Sequence, residues 1–292
     1  MKGRAMDLVY YPGCTMKSWG ISEGNAVLEI LRTLGLQIKE MERWPCCGAA
    51  DPLVEENLMK MVAPYRILAE AGAISSQILT TCSHCTRVLR TVHSIVAADH
   101  DKMDKLEKFC EVALPEHLEV LHWVNLLAKP EYSKLLREKV RLPEGWLLAF
   151  PYPGCAMLRP EKYMLKSRAT DLEKLLEALG VGLASDIRRL ECCGAHQRAI
   201  DNEKARLASL QILNAASDCG CQAVVTACPL CRYNLHRANS DRSFGGIILS
   251  AGMVAAAALG IPFERYMGSD DRWARLEYEN LKTSYNIAQP SC

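Results

Sequence analysis

Two adjacent cysteines followed by glycine, Cys46-Cys47-Gly48, recur as Cys192-Cys193-Gly194, and this duplicated triplet restricts the chain more than any other feature. Each copy has a single cysteine upstream, Cys14 or Cys155, placed after a Pro-Gly dipeptide. Each also has a Cys-x-x-Cys downstream, Cys82 with Cys85 and Cys228 with Cys231. Thirty-four residues separate Cys47 from Cys82, and thirty-four separate Cys193 from Cys228; the upstream spacers are 31 and 36. Ten of the fourteen cysteines thus form two sets of five with nearly superimposable spacing, a regularity that chance does not supply. Internal duplication predicts two copies of one structural unit.

A chain of 292 residues is long enough for two such units, each with its own core. Its 35 basic and 34 acidic residues leave a net charge of +1, which argues against nucleic acid as a partner. The start, Met1-Lys2-Gly3-Arg4, lacks the apolar run of an export signal, because Asp7 and then Tyr-Tyr-Pro-Gly-Cys follow. The longest apolar run, 245–262, sits at the lower limit of about 17 residues for a membrane span. It is rich in Ala and Gly with no flanking basic cluster, so a buried or partner-covered helix is expected and no membrane span. Fourteen cysteines without a secretory signal point to a reducing, cytoplasmic setting, where cysteine means metal or redox chemistry. A disulfide-stapled secreted protein is the alternative; a chain this long and this apolar has no need of staples.

Along the chain, a β-prone run at 6–11 ends at Pro12-Gly13, with Cys14 just beyond. An amphipathic helix is predicted at 22–35, an alternating strand at 36–41, and a helix over 53–71 that contains Pro64. The strand 78–81 feeds Cys82, and a helix runs on to about Ala98. A short helix follows, and 118–127 reads as a strand entering a helix. The charged segment 129–145 is the linker candidate between domains 1–128 and 146–292. The second half repeats the order, with a strand at 146–150, helices at 168–179 and 198–216, and a strand at 224–226. The expected fold is α/β: two tandem, pseudo-twofold-related cysteine-rich domains with short parallel sheets flanked by helices. Each cysteine site lies just past a strand or before a helix, where open α/β sheets gather ligands.

Structural zinc takes four tetrahedral ligands, which would leave one thiolate over in each half. Soft thiolate sets also select iron–sulfur clusters, where several irons can use more than four sulfurs. The cubane spacing Cys-x-x-Cys-x-x-Cys is absent. Neighbouring side chains on a strand face opposite ways, so both cysteines of a pair reach one centre only if the backbone turns, and Gly48 and Gly194 supply that freedom. Zinc in one half stays open beside iron–sulfur in both.

With these motifs the chain resembles the heterodisulfide reductase family, namely the disulfide-reducing subunit that carries twin cysteine-rich CCG domains, over about residues 6–240. The stretches 120–127 and 257–260 are similar as well. The same domain occurs in succinate dehydrogenase of class E, in glycolate and lactate oxidase iron–sulfur subunits and in benzoyl-CoA reductase complexes. The resemblance implies two non-cubane 4Fe-4S clusters. Cys14, Cys46, Cys47, Cys82 and Cys85 would hold one, and Cys155, Cys192, Cys193, Cys228 and Cys231 the other, with one cysteine of each set bridging two irons. It further implies a disulfide substrate, such as that of coenzyme M and coenzyme B, reduced between the clusters. Electrons would come from a ferredoxin-like iron–sulfur subunit and a flavin-containing subunit. The residues after each pair, Gly48-Ala49-Ala50 and Gly194-Ala195-His196-Gln197, depart from the methanogen pattern. An electron-transfer or adaptor subunit of a benzoyl-CoA reductase or class E succinate dehydrogenase complex, without disulfide chemistry, is the alternative.

His84 and His196 are candidate proton donors, or hydrogen-bond partners of a cluster sulfur. Lys17 and Arg159 follow the single cysteines and would steer an anion or simply carry surface charge. Cys110, Cys219 and Cys221 fit packing, and Cys292 is terminal. Trp44, Trp123 and Trp146 are expected in the core or shielding a cluster from water. Partner contacts are expected at the apolar segment near the C-terminus or at the loops by the first site.

Overall fold

The computed structural model describes residues 7–48, 57–158, 170–269 and 271–285. Arg159, Cys292 and the first residues of the helices predicted at 53–71 and 168–179 lie outside this set. The first half runs β1 (Asp7–Tyr11), α1 (Gly13–Met16), α2 (Ile21–Thr33), β2 (Gln37–Glu40), α3 (Leu58–Gly72), β3 (Gln77–Thr80), α4 (Ser83–Ala98), α5 (His100–Cys110), β4 (Glu119–His122), α6 (Trp123–Leu127) and α7 (Pro130–Lys139). The second runs β5 (Leu148–Tyr152), α8 (Cys155–Leu158), α9 (Asp171–Ala178), β6 (Gly182–Leu183), α10 (Asn202–Asp218), β7 (Ala223–Thr226), α11 (Pro229–Ala238), β8 (Ile247–Ser250), α12 (Ala251–Ala258) and α13 (Arg272–Tyr285).

The strands form two parallel sheets, ordered β2-β1-β3-β4 and β6-β5-β7-β8. Parallel sheets of this kind are covered on both faces, and alternating residues of β1 divide accordingly. Leu8 enters the core shared by the two halves, while Val9 enters a core belonging to the first half alone. In the second sheet Ala149 and Phe150 divide in the same way. The shared core forms where α2 packs on α12 and α6 on α9. By chain order α2 corresponds to α9 and α6 to α12, so the pseudo-twofold exchange anticipated from the cysteine spacing is the packing rule of the interface.

Two segments differ from expectation. The run 245–262 is not one helix: β8 takes its first part, and Ser250 then caps α12 by accepting the Met253 N–H at 3.2 Å. Its small residues seat α12 against α2, with Gly252 facing Glu23 and Val27, so this chain's own first half covers the segment. No helix among the described residues is long and apolar enough to cross a membrane. The linker 129–145 is also structured. Pro130 opens α7 and its Leu136 is fully buried in the shared core. Trp123 is fully buried, Trp146 donates to the Leu179 carbonyl at 3.1 Å, and Cys110, Cys219 and Cys221 pack at the margins of the outer cores.

Charge is buried where the halves meet. Arg232 on α11 donates to Glu277 of α13 at 2.6 Å and to Asp271 at 3.2 Å, and Glu277 also meets His236 at 2.8 Å. Glu23 of α2 lies beside this group, 1% exposed, with neither carboxyl oxygen hydrogen bonded. Burial pushes its carboxyl well above the ordinary range, against the pull of Arg232. A carboxyl raised in the folded state contributes stability that is full below its unfolded value and is lost as pH rises through the folded one. Glu23→Gln is therefore expected to raise thermal stability at pH 8 by about 1 kcal/mol or more, with little change at pH 4, as read by anaerobic thermal unfolding at both values.

Candidate metal centres

Each half brings its five cysteines to the carboxyl edge of its sheet. Cys14 follows β1, Cys82 follows β3, and the pair Cys46-Cys47 lies beyond β2. The chain leaves β1 toward β2 and leaves β3 in the opposite direction toward β4, so the β1/β3 boundary is the switch point where such sheets open a crevice. Cys82 and Cys228 stand at the N-caps of α4 and α11. There the helix dipole favours negative sulfur, and Cys85 and Cys231 sit one turn along on the same face.

The sulfurs converge in matching pairs. Cys46 is 3.9 Å from Cys14 and Cys47 is 3.3 Å from Cys85; Cys192 is 3.6 Å from Cys155 and Cys193 is 3.4 Å from Cys231. Adjacent cysteines thus turn to different partners within one site. The turn is completed by Gly48 and Gly194 at φ of 71° and 75°, whose N–H groups donate back to Cys46 and Cys192 at 3.5 and 3.4 Å. In each half a buried tyrosine clamps this loop: Tyr11 donates to the Pro45 carbonyl at 3.0 Å and Tyr152 to the Glu191 carbonyl at 2.8 Å. Trp44 packs edge-on against Tyr11 at 5.7 Å, which places it over the first site. Sequence reasoning missed the tyrosines, although Tyr-Pro-Gly-Cys occurs in both halves and carried the signal.

These thiols are electrostatically frustrated as they stand. Hydrogen bonding to Cys192 and then burial push Cys155 up, while contact with Cys155 holds Cys192 low. The Cys47 contact drives Cys85 well up, and the Cys193 contact does the same to Cys231. Cations that replace the shared protons remove this conflict, so the donor set fits a metal–sulfur centre. Among the described residues no three ligating side chains close round a single point as one ion requires. All thirteen described cysteines are free.

The floor is tight. A Cβ on Gly154 would stand 2.9 Å from Cys231 Sγ, and at Gly13 the corresponding contact with Cys85 Sγ is 3.0 Å. Gly154 also holds φ of 76°. Gly154→Ala is expected to displace Cys231 and to cost about 1–2 kcal/mol in backbone strain. The result would be loss of metal from the second site alone, measured by elemental analysis of anaerobic protein.

The two sites adjoin each other across the interface. Ser83 donates to the Ala227 carbonyl at 3.3 Å, and His84 reaches the Cys228 sulfur of the other half. Burial opposes a charge on His84, but Cys228 and the neighbouring thiolates outweigh it and lift the imidazole to about 9. Leu230 takes the matching position in the second Cys-x-x-Cys, so this link is one-sided. His196 is exposed and lies 3.8 Å from Cys192 Sγ. Lys17 is paired with Glu40 at 2.5 Å, which accounts for its charge. Cys14 and Cys46 are exposed, Cys155 and Cys192 half-buried, and the remaining six buried.

The cysteine-rich domain family, CCG, matches residues 8–90 and 150–236, more than half of the chain. A curated relative, the membrane anchor subunit of the 8-methylmenaquinol:fumarate reductase of Wolinella succinogenes, is 29% identical over 266 residues, which covers 88% of this chain and 93% of the relative. Among solved structures, a hypothetical protein from Helicobacter pylori superposes with a TM-score of 0.67 at 8% identity. That likeness covers 88% of this chain and half the length of the other, and it shows the fold alone.

Proposed function

This chain belongs to the cysteine-rich CCG domain family, and from that premise we propose that it is the iron–sulfur electron-transfer subunit of a fumarate-reductase-type oxidoreductase complex. The observation that carries the reading is the contact of the two five-cysteine sites through Ser83 and His84 with Ala227 and Cys228. The likeness to the menaquinol:fumarate reductase subunit supports the same class of complex. Cys14, Cys46, Cys47, Cys82 and Cys85 would hold one 4Fe-4S cluster of non-cubane form, and Cys155, Cys192, Cys193, Cys228 and Cys231 the second. Such clusters supply one-electron redox chemistry.

The chain's own residues orient and insulate the two sites. Tyr11 and Tyr152 fix the loops bearing the cysteine pairs, and Asn234 and Ser209 donate to the Cys193 carbonyl at 2.6 and 2.9 Å. The exposed Cys14 and Cys46 make the first site the place where a ferredoxin-like iron–sulfur subunit would dock, itself served by a flavin-containing subunit. Free cysteines throughout the described chain suit a reducing cytoplasmic location. Disulfide cleavage between the sites, as in heterodisulfide reductase, is the second reading. The closeness of the two sites favours it, whereas the similarity to the fumarate reductase subunit does not.

The test is reoxidation of the dithionite-reduced complex, purified under anaerobic conditions. Fumarate is expected to reoxidise it, and the disulfide of coenzyme M and coenzyme B is expected to leave it reduced. Reoxidation by the disulfide and not by fumarate would overturn the reading. His84→Leu, which copies Leu230, is expected to alter the electron paramagnetic resonance signal of the second site with iron content unchanged. An unaltered signal would remove His84 from that site.

A further inference from the structure

A cavity with no cysteine in its lining lies along α11, between α10 and α13. It has a volume of about 880 Å³, within the range of about 300–1,000 Å³ usual for small-molecule sites. Four arginines line it, Arg198, Arg206, Arg237 and Arg242, together with His236 and Trp273, and no described lining residue is acidic. In a chain whose net charge is +1, that is a strong local concentration of positive charge.

The cavity is built rather than incidental. Asn239 clamps the loop 239–244, accepting the Phe244 N–H at 2.9 Å and donating to its carbonyl at 3.1 Å, which fixes Arg242 in a left-handed conformation at φ of 57°. A side chain at Gly246 would meet the Gln222 carbonyl at 2.6 Å, so the backbone there forms bare wall. His236 is buried, held by Glu277 at 2.8 Å, and stacked on Trp273 at 4.3 Å, which makes a flat aromatic side. Glu203 neutralises Arg206 at 2.6 Å, and Arg198 donates to Asn234 at 2.7 Å. Arg237 and Arg242 are exposed and have no carboxylate partner among the described residues.

We propose that this cavity binds a small soluble oxyanion bearing two or more carboxylate or phosphate groups, with Arg237 and Arg242 as its principal ligands. Guanidinium forks match both groups in bidentate geometry, and the His236–Trp273 side accepts the rest of the molecule. Two buried side chains, Asn234 and Glu277, link the site to the second cysteine set. Asn234, which accepts from Arg198, donates to the Cys193 carbonyl, and Glu277, which holds His236, also holds Arg232 next to Cys231. The inference does not depend on the electron-transfer reading, because it rests on residues outside both metal sites.

The test uses anaerobically purified protein with its native metal content, titrated calorimetrically with pyrophosphate and with succinate at constant ionic strength. Saturable binding of at least one probe at one site per chain is expected. The double variant Arg237→Gln/Arg242→Gln is expected to weaken it by about tenfold or more per arginine, with metal content and melting temperature unchanged. Failure of both probes to bind, or undiminished binding by the variant, would overturn the proposal. So would attachment to phosphatidylglycerol vesicles with no affinity for either soluble anion, since the cavity would then read a lipid surface.

Discussion

Replacing Cys193 with serine is expected to empty the second site of iron while the first stays loaded. Cys193 is 2% exposed and its sulfur lies 3.4 Å from Cys231, so no water or neighbouring side chain can stand in for it. A hydroxyl is a hard, protonated donor where the set requires a soft thiolate. The carbonyl of the same residue accepts from Asn234 and Ser209, bonds that the substitution leaves in place. The loop is therefore expected to keep its course, and iron and acid-labile sulfide to fall by about half. Cys47→Ser is expected to do the same to the first site. Equal losses from both sites in either variant would show that the halves do not load independently.

Arg232→Met is expected to destabilise the protein by about 3–5 kcal/mol, the usual cost of leaving buried charge uncompensated. Against a total stability of about 5–15 kcal/mol this is a large fraction. Arg232 is fully buried, and its guanidinium is the shared partner of Asp271 and Glu277, which ties α13 and the residue before it to α11. Burial alone would lift the Glu277 carboxyl; Arg232 and His236 outweigh it and hold the group below the ordinary carboxylate range. A depressed carboxyl contributes stability that is present above its unfolded value and is lost as pH falls through the folded one. The native protein should therefore lose this contribution on acidification below about pH 4. The variant lacks the contribution at neutral pH already, so its stability should change less between pH 7 and pH 3. Thermal unfolding across that range checks both statements, and Arg232→Lys should fall between the two because it restores charge without the planar fork.

Much of the architecture is legible because the cysteine spacing repeats and the strands before each cysteine are compact apolar runs. β1, β3, β5 and β7 follow from this, and with them the place of six sulfurs at the sheet edges. β6 escapes because it has two residues, too few for any periodicity. β8 escapes because an Ala- and Gly-rich run reads alike as buried strand or buried helix. Only the Ser250 cap, a local signal inside that run, marks the change. The charge density of 129–145 suggests a linker, yet a single apolar stripe ending in Leu136 suffices to dock α7.

The candidate metal sites are legible as residue sets and not as geometry. Spacing assigns five cysteines to each half, but not that Cys46 turns to Cys14 while Cys47 turns to Cys85. His84 stands out for its place inside Cys-x-x-Cys; its partner, Cys228, is 144 positions away and belongs to the other half. Greater distance in sequence hides the Glu23–Arg232 neighbourhood, and the arginine-lined cavity is hidden because its walls come from α10, α11, α13, β8 and the loop 239–246. Long-range pairing of polar groups has no periodic signature, so the fold has to be in hand before it shows.

The most direct measurement is the metal and sulfide content of the chain purified without oxygen. About eight irons and eight acid-labile sulfides per chain are expected, with brown colour and almost no zinc. About one zinc per half, with neither iron nor sulfide, would contradict the assignment of both five-cysteine sites to iron–sulfur clusters.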